Sequence, residues 1–417
     1  MRVTFLTAGI PSDVVRLAAE LKKRGYSPCI ISIDPPGALA AHVYDAGIPL
    51  YSAGARGAVV PDHGKGGRSR VRPFLFPGPR VVAGLIARLR EVHTQVLVTA
   101  HFPATLLGRI VAPLAGVRCL VSWLGDDDSS SLLRNLALLV TDSASRLTVV
   151  STPKVAEAVA ARGVVSRRRL RVIPNAVATD GASSNEASSN EASSNNASPN
   201  TPARADANIR RKLRIGEKEF VWLAVGELAA NDDYATLIDA CARLCDLTEE
   251  WRLLIVGEGA LRRDLESRRD RFGLNERVQL LGFRSDSAQL LRAADAFVIS
   301  ATRAGAPTSL IEAMLARRPC VATQVGGIPD LVENGVTGWL VPPRRPDRLA
   351  DRMYSVMQLP AAQRAAIGAA AGEFAASAFD VHRVMDDWED VLTEAVRRRL
   401  PGAVAPSILT PGSIRPR

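Results

Sequence analysis

Aromatic residues are scarce in this chain, at 5%. Single-stranded nucleic acid is held largely by stacking on such side chains, so a nucleic-acid partner is not expected. Five cysteines, an odd number without dense spacing, do not make the disulfide framework of a small secreted protein. No apolar run approaches the roughly eighteen residues of a spanning helix. The chain starts Met1-Arg2, passes through Val3-Thr4-Phe5-Leu6 and soon meets Gly9 and Pro11. That apolar stretch is too short for a signal peptide and suits a first strand. A cytoplasmic protein is the expectation. What is present is ordinary globular composition, 47% apolar and 23% charged, over 417 residues. That length suits two domains better than one.

Positive charge is concentrated at one end. Residues 1–178 hold 23 Lys and Arg against 11 Asp and Glu, a net +12, and the remainder carries −2. Such a field attracts lipid headgroups and phosphates, although an arginine-rich composition alone yields the same excess. Residues 63–73 set His63, Lys65, Arg68, Arg70 and Arg72 among glycines. They read either as a solvated loop or as a contact for an acidic acceptor or for an anionic membrane at the inner face of the cell.

A five-residue repeat, ASSNE-ASSNE-ASSNN-ASPN, fills 182–200. With no apolar side chain larger than Ala it cannot offset its ordering entropy, so 179–205 is expected to be a linker. The glycosylation pattern Asn196-Ala197-Ser198 within it is chance in a cytoplasmic chain. A tail over 401–417, with four prolines and two glycines, is expected to be unstructured.

Strands and helices alternate on each side of the linker. The first part offers strands at Val3–Ala8, Cys29–Ile33, Val96–Ala100, Cys119–Trp123, Leu147–Ser151 and Leu170–Ile173, with helical patterns such as Val14–Arg24 between them. The second offers Phe220–Val225, Arg252–Val256, Val278–Leu280, Ala296–Ser300, Cys320–Thr323 and Gly338–Val341, with helices at 234–246, 260–272, 309–318 and 346–357. This spacing predicts an α/β fold of two doubly wound domains, 1–178 and 206–378, each with a ligand crevice at its strands' carboxyl ends. An amphipathic helix within 379–400 is long enough to return to the first domain.

Three loops carry candidate chemistry. Gly257-Glu258-Gly259 follows a strand and precedes a helix, where glycines let backbone N–H groups approach a phosphate; a tight turn has the same sequence. Gly326-Gly327-Ile328-Pro329-Asp330 is a second such turn. A third loop, from Gly305 through Thr308 and Ser309, leads into a helix. Ser309 and Glu312 have the spacing of a capping box, so Glu312 either completes that cap or hydrogen-bonds a ribose diol. Three such helix starts on one sheet edge converge on a nucleotide diphosphate site. Asp126-Asp127-Asp128 contains an Asp-x-Asp, which elsewhere binds a divalent metal with phosphates but here suits a solvated loop, and Cys241 with Cys245 lacks a second ligand pair for zinc, so buried free thiols are expected.

From Phe220 to Pro343 the chain resembles the C-terminal domain of the retaining family-four glycosyltransferases of the GT-B fold, the group 1 glycosyl transferases. VGEL (225–228), DDYATLIDA (232–240), IVGEGALRRDLE (255–266), VQLLGFRSD (278–286), ADAFVIS (294–300), LIEAM (310–314) and PCVATQVGGIPDLVENGVTGWLVPP (319–343) carry the likeness. RRLRVIPNAV (168–177) and HFPATLLGR (101–109) resemble the first domain less closely. The resemblance implies two Rossmann-like domains facing a central cleft. It also implies transfer of a sugar, with retention, from a nucleotide-sugar donor to a polysaccharide, glycolipid or similar lipid-linked acceptor. No cofactor or metal would be required. Gly226, Gly257, Gly259, Gly305, Thr308, Ser309, Glu312, Gly326 and Gly327 would line the donor, and Gly9 and His101 the acceptor side.

Four positions depart from that family pattern. Glu227 and Asp232 stand where Arg and Lys are implied, Ala304 where a Glu would contact the sugar, and Leu124 where a His is usual. A like-charge contact at about 4 Å costs about 4 kcal/mol at an effective dielectric near 20. Arg262, Arg263 and Arg303 are the candidates to offset it. Two functions stay open, a hexosyltransferase-type enzyme and a degenerate paralogue acting as a binding or scaffold partner.

Overall fold

The computed structural model describes residues 1–34, 40–53, 78–125, 132–175, 209–216, 218–284 and 286–397. The repeat segment, the Asn196 sequon, the tail, the basic loop at 63–73 and Asp126–Asp128 lie outside the described residues. Two compact units divide between Ala176 and Val177 and again between Asp380 and Val381.

The first unit runs β1 (Arg2–Thr7), α1 (Ser12–Lys23), β2 (Ser27–Ser32), α2 (Ala40–Asp45), β3 (Leu50–Ser52), α3 (Pro79–Glu91), β4 (Val96–Ala100), α4 (Phe102–Ala115), β5 (Leu120–Trp123), α5 (Leu132–Thr141), β6 (Leu147–Val150), α6 (Pro153–Ala161) and β7 (Leu170–Val172). All pairings are parallel, in the order β3-β2-β1-β4-β5-β6-β7. Helices cover both faces, so the central strands are apolar at nearly every position. Phe5, Ile30 and Val98 enter the core beside α1, whereas their neighbours Leu6, Ile31 and Leu97 enter the core beside α3 and α4. The edge strand β3 escapes sequence reading. Three residues are too few to show a period, and pairing with β2 alone makes Leu50–Ser52 a strand.

The second unit contains β8 (Phe220–Val225), α7 (Tyr234–Cys245), β9 (Trp251–Val256), α8 (Arg262–Arg271), β10 (Val278–Gly282), α9 (Ser287–Ala293), β11 (Ala296–Ile299), α10 (Thr308–Leu315), β12 (Cys320–Thr323), α11 (Ile328–Leu331), β13 (Trp339–Val341), α12 (Pro346–Gln358) and α13 (Ala361–Ala378). Its parallel sheet has the order β10-β9-β8-β11-β12-β13. Along β8, Val221 and Leu223 face one core while Trp222 and Ala224 face the other. Helix α10 ends at Leu315, short of the expected 318: Arg317 is left-handed, at φ 56, and Arg318 precedes Pro319, which disfavours helix. Cys241 and Cys245 are free thiols, raised by burial above the ordinary thiol range.

The last helix, α14 (Val381–Arg397), packs in the first unit. Val384, Met385, Trp388, Val391, Leu392 and Ala395 recur at helical spacing and are buried beside α1 and β5. The Trp388 ring meets Trp123 edge-on at 5.2 Å. Ion pairs fasten the helix at both ends, Arg24 to Asp386 at 2.5 Å and Arg171 to Glu394 at 2.7 Å.

Candidate active site

Connections in the second sheet reverse direction between β8 and β11, which is where an open α/β sheet offers its ligand crevice. Four loops leave the carboxyl ends of adjacent strands there: 226–233 after β8, 257–261 after β9, 300–307 after β11 and 324–327 after β12. The residues read as donor-side candidates lie on these loops or in the first two turns of the helices they lead into.

Backbone and hydroxyl hydrogen bonds lock the loops together. The Leu228 N–H donates to the Glu258 carbonyl at 3.0 Å, and Leu261 N–H to the Leu228 carbonyl at 3.0 Å. Thr302 N–H donates to Asn231 at 2.7 Å, and the Ser300 hydroxyl to the Asp232 carbonyl at 2.8 Å. Gly257 is the tightest point. It has φ +147, and a Cβ there would lie 1.8 Å from the Gly226 carbonyl oxygen; one at Gly259 would lie 2.4 Å from that of Leu228. These glycines therefore let two turns touch. The expectation that such turns offer free N–H groups to a phosphate fails at three places: Gly226 donates to Val256, Gly257 to Gly282 and Gly327 to Ala304.

Two further expectations are corrected. Ser309 and Glu312 form no capping box, because the cap of α10 is Pro307, with no side-chain cap hydrogen bond, and both residues are inside the helix. Glu312 is half-buried one turn in, with Thr308 and Ser309 at the helix start. Arg262 does not stand free to face a diphosphate. Its guanidinium donates to Glu258 at 2.8 Å, to Glu266 at 2.9 Å and to the Leu280 carbonyl at 3.1 Å, so two carboxylates already offset its charge. Arg303 is exposed on the loop after β11, beside the half-buried Ala304 and Gly305; Gly326, at φ 51, is exposed after β12.

Anionic groups occupy the turn after β8. Glu227 is exposed and Asp232 half-buried. A Cβ at Gly226 would stand 2.8 Å from the Tyr234 hydroxyl and 3.1 Å from Asp232 Oδ1, so the glycine leaves a niche walled by both. Burial, and then the Glu227 carboxylate, push the Asp232 carboxyl up to about 7. In the unfolded chain the group ionises near 3.8, so the native state holds the extra proton between those values. Stability of this unit should consequently fall as pH rises through that window and stay reduced above 7. Asp232→Asn is expected to flatten the dependence and to stabilise at pH 8 by on the order of 2–4 kcal/mol. Urea titrations of both proteins at pH 5 and pH 8 would check this, and equal pH slopes would refute it.

The first sheet has its own reversal, between β1 and β4, and Gly9 and His101 follow those two strands. His101 is held at φ 68, ψ 163, a region that costs a non-glycine residue about 1–3 kcal/mol. Its N–H donates to the Trp123 carbonyl at 3.0 Å, and its carbonyl accepts from Thr105 at 2.9 Å. The imidazole Nδ1 lies 2.9 Å from where a Gly125 Cβ would be, so the glycine makes room for the ring. Leu124, by contrast, is 1% exposed and packs with Leu138 and Val150. A side chain at 124 belongs to the core, and the imidazole beside this corner comes from His101. Thr7 donates its hydroxyl to the Gly9 carbonyl, closing the turn after β1.

Residues 205–373 match the family described as Glycosyl transferases group 1, and residues 8–176 match the Glycosyl transferase 4-like domain. The chain carries a glycosyl transferase 4-like domain followed by a group 1 glycosyl transferase domain. The Escherichia coli UDP-Gal:alpha-D-GlcNAc-diphosphoundecaprenol alpha-1,3-galactosyltransferase is 26% identical over 278 residues, covering 64% of this chain and 67% of that one. The alpha-D-kanosaminyltransferase of Streptomyces kanamyceticus is 31% identical over 156 residues, 37% of this chain and 40% of its own length. The glycosyltransferase EpsD of Bacillus subtilis is 31% identical over 133 residues, 32% of this chain and 35% of its own. The last two likenesses thus span less than half of each relative. Among solved structures, Anabaena HepE in complex with UDP and glucose superposes with a TM-score of 0.74 at 21% identity, over 94% of this chain and 99% of that one. The shared architecture is the GT-B fold of two Rossmann-like domains.

Within the group 1 domain, the departures at 227, 232 and 304 fall on the crevice loops. The departure at 124 falls in the core of the 4-like domain. Sequence reasoning missed Asn231, Ser300 and Thr302, which tie the loops after β8 and β11. Ser300 and Thr302 gave only the signal of small polar residues just after an apolar strand, and Asn231, within a loop, gave none. Among the described residues, no group of three His, Cys, Asp or Glu side chains is placed to hold a metal ion.

Proposed function

We propose that this chain binds a nucleoside diphosphate sugar in the crevice between β8 and β11. It transfers the hexosyl group, with retention and without a metal, to a glycan or lipid-linked acceptor on the 4-like domain. The carrying observation is the placement of Glu312. It is a half-buried carboxylate one turn into the helix that leaves β11, at the switch point. A carboxylate so placed suits a ribose diol, and the start of α10 suits the phosphates. Uridine diphosphate sugars are the first donors to test, because HepE was crystallised with UDP and the galactosyltransferase relative's name specifies UDP-Gal.

Thermal shift against UDP-, GDP- and ADP-sugars tests donor binding; a ligand at a hundred times its Kd stabilises by about 2.7 kcal/mol. Glu312→Gln is expected to weaken the best donor about tenfold while leaving the melting temperature of the free protein nearly unchanged. Unaltered affinity would remove Glu312 from the ribose. Retention is read from the anomeric proton coupling of the product.

Glu227 and Asp232 favour a second reading, a group 1 chain that binds a partner or glycan without transferring sugar. Donor binding without product, over all three nucleotides and a panel of lipid-linked acceptors, would favour it.

A further inference from the structure

Asp232 and Tyr234 bring two polar groups to the turn after β8 that the fold itself does not satisfy. Tyr234 is 5% exposed and packs with Leu228 and Leu237 at the start of α7. A buried tyrosine ordinarily finds a hydrogen-bond partner for its hydroxyl. Here, among the described residues, neither that hydroxyl nor the Asp232 carboxyl has one, and no cation pairs with Asp232 or Glu227. Both oxygens face one point: the place of a Gly226 Cβ is 2.8 Å from the Tyr234 hydroxyl and 3.1 Å from Asp232 Oδ1. The adjacent Asp233 is different. Its carboxylate caps α7, accepting from the Thr236 N–H at 3.3 Å and from the Thr236 hydroxyl at 2.7 Å.

A point between a carboxyl and a phenol oxygen suits a group that donates hydrogen bonds and carries positive charge. Burial and the Glu227 carboxylate hold Asp232 toward its neutral form. A cation at this point would reverse that, and both carboxylates would then offset its charge. Among the described residues no group of three side chains is placed to hold a metal ion, so the cation falls to the ligand. The position of the niche decides which part of a donor reaches it. Ser300 and Thr302, after β11, donate to the carbonyls of Asp232 and Asn231, and neighbouring strands lie about 4.8 Å apart. The niche is therefore beside the loop that leads to the start of α10, where the diphosphate is proposed to sit. In a nucleotide sugar, C2 is bonded to the anomeric carbon that carries the diphosphate. An amine on C2 stands next to the phosphates, between them and the carboxylates of this turn.

We propose that the donor brings the cation this turn lacks: it is a nucleoside diphosphate hexosamine with a free amine at C2, held by Asp232, Tyr234 and Glu227. This assignment rests on the crevice being a nucleotide-sugar site. Calorimetric titration at pH 7 in EDTA compares UDP-glucosamine, UDP-N-acetylglucosamine and UDP-glucose, the last two lacking the charge. UDP-glucosamine is expected to bind about tenfold more tightly than either, the effect of one charge-assisted hydrogen bond. Asp232→Asn should remove most of that preference, and Tyr234→Phe should lower it about threefold, the effect of one neutral hydrogen bond. A ratio of affinities is unmoved by a general loss of folded protein, so a merely structural role would leave it unchanged. Equal or tighter binding of UDP-glucose overturns the proposal and leaves the crevice as a nucleotide-sugar site. Failure of all three sugars and of UDP itself overturns both. A preference that survives in both variants places the amine elsewhere and overturns the proposal. So does magnesium, if adding it tightens UDP-glucose to match UDP-glucosamine, because the cation is then a metal.

Discussion

A chain carrying Glu227→Arg and Asp232→Lys is expected to bind UDP-glucose roughly 10–100-fold more tightly than the native protein. The diphosphate of a donor is a fixed double anion, and positive groups where its charge develops are usually the largest catalytic contribution. The turn after β8 supplies carboxylates instead, an exposed one at Glu227 and a recessed one at Asp232. A charge-assisted hydrogen bond contributes about 1.5–3 kcal/mol. The recessed position should deliver most of that, while the exposed one is weakened by solvent screening. The native protein offers an internal check. With the Asp232 carboxyl pushed up to about 7, its charge is largely gone at pH 6. Native donor affinity should therefore rise as pH falls from 8 to 6, and the double variant should lose that dependence. Calorimetric titration at both pH values measures each expectation. Tight native binding that the double variant weakens would relocate the diphosphate, with the exposed Arg303 and Arg263 next to be substituted.

Gly257→Ala should destabilise the group 1 domain by more than about 3 kcal/mol and abolish donor binding with it. The residue sits at φ +147, and the new methyl would lie 1.8 Å from the Gly226 carbonyl oxygen, a distance only backbone movement can relieve. Strained backbone alone costs about 1–3 kcal/mol; forcing the two turns apart adds the hydrogen bonds between Leu228, Glu258 and Leu261. Gly273 is the control. It also has positive φ, +66, but nothing lies within 4 Å of its Cβ position, so Gly273→Ala should cost only about 1–2 kcal/mol. Denaturant titration followed by a probe in each unit separates the effect from any change in the 4-like domain, since two units need not unfold together. Equal costs at the two glycines would show that conformation, and not contact, makes 257 a glycine.

The two doubly wound sheets were legible from local pattern. Val96–Ala100, Phe220–Val225 and Cys320–Thr323 have the limits read from sequence, because a parallel strand buried on both faces must be apolar at almost every position. The amphipathic spacing of Trp388 and its neighbours likewise announced a packed terminal helix. The glycines of the donor loops were legible as glycines, but the reason for them was not. Whether Gly257 faces a phosphate or the Gly226 carbonyl depends on how two strands distant in sequence are registered. The same limit applies to charge: Arg262 read as a free cation, yet Glu258, Glu266 and Leu280 surround it. Ser309 and Glu312 had the right spacing for a cap, and the helix began two residues too early for it, after Pro307. Local propensity and period act within a few residues, so composition and order determine which elements form. Burial, pairing of charges and the raised Asp232 carboxyl arise from contacts across the sheet, and only the folded chain sets those distances.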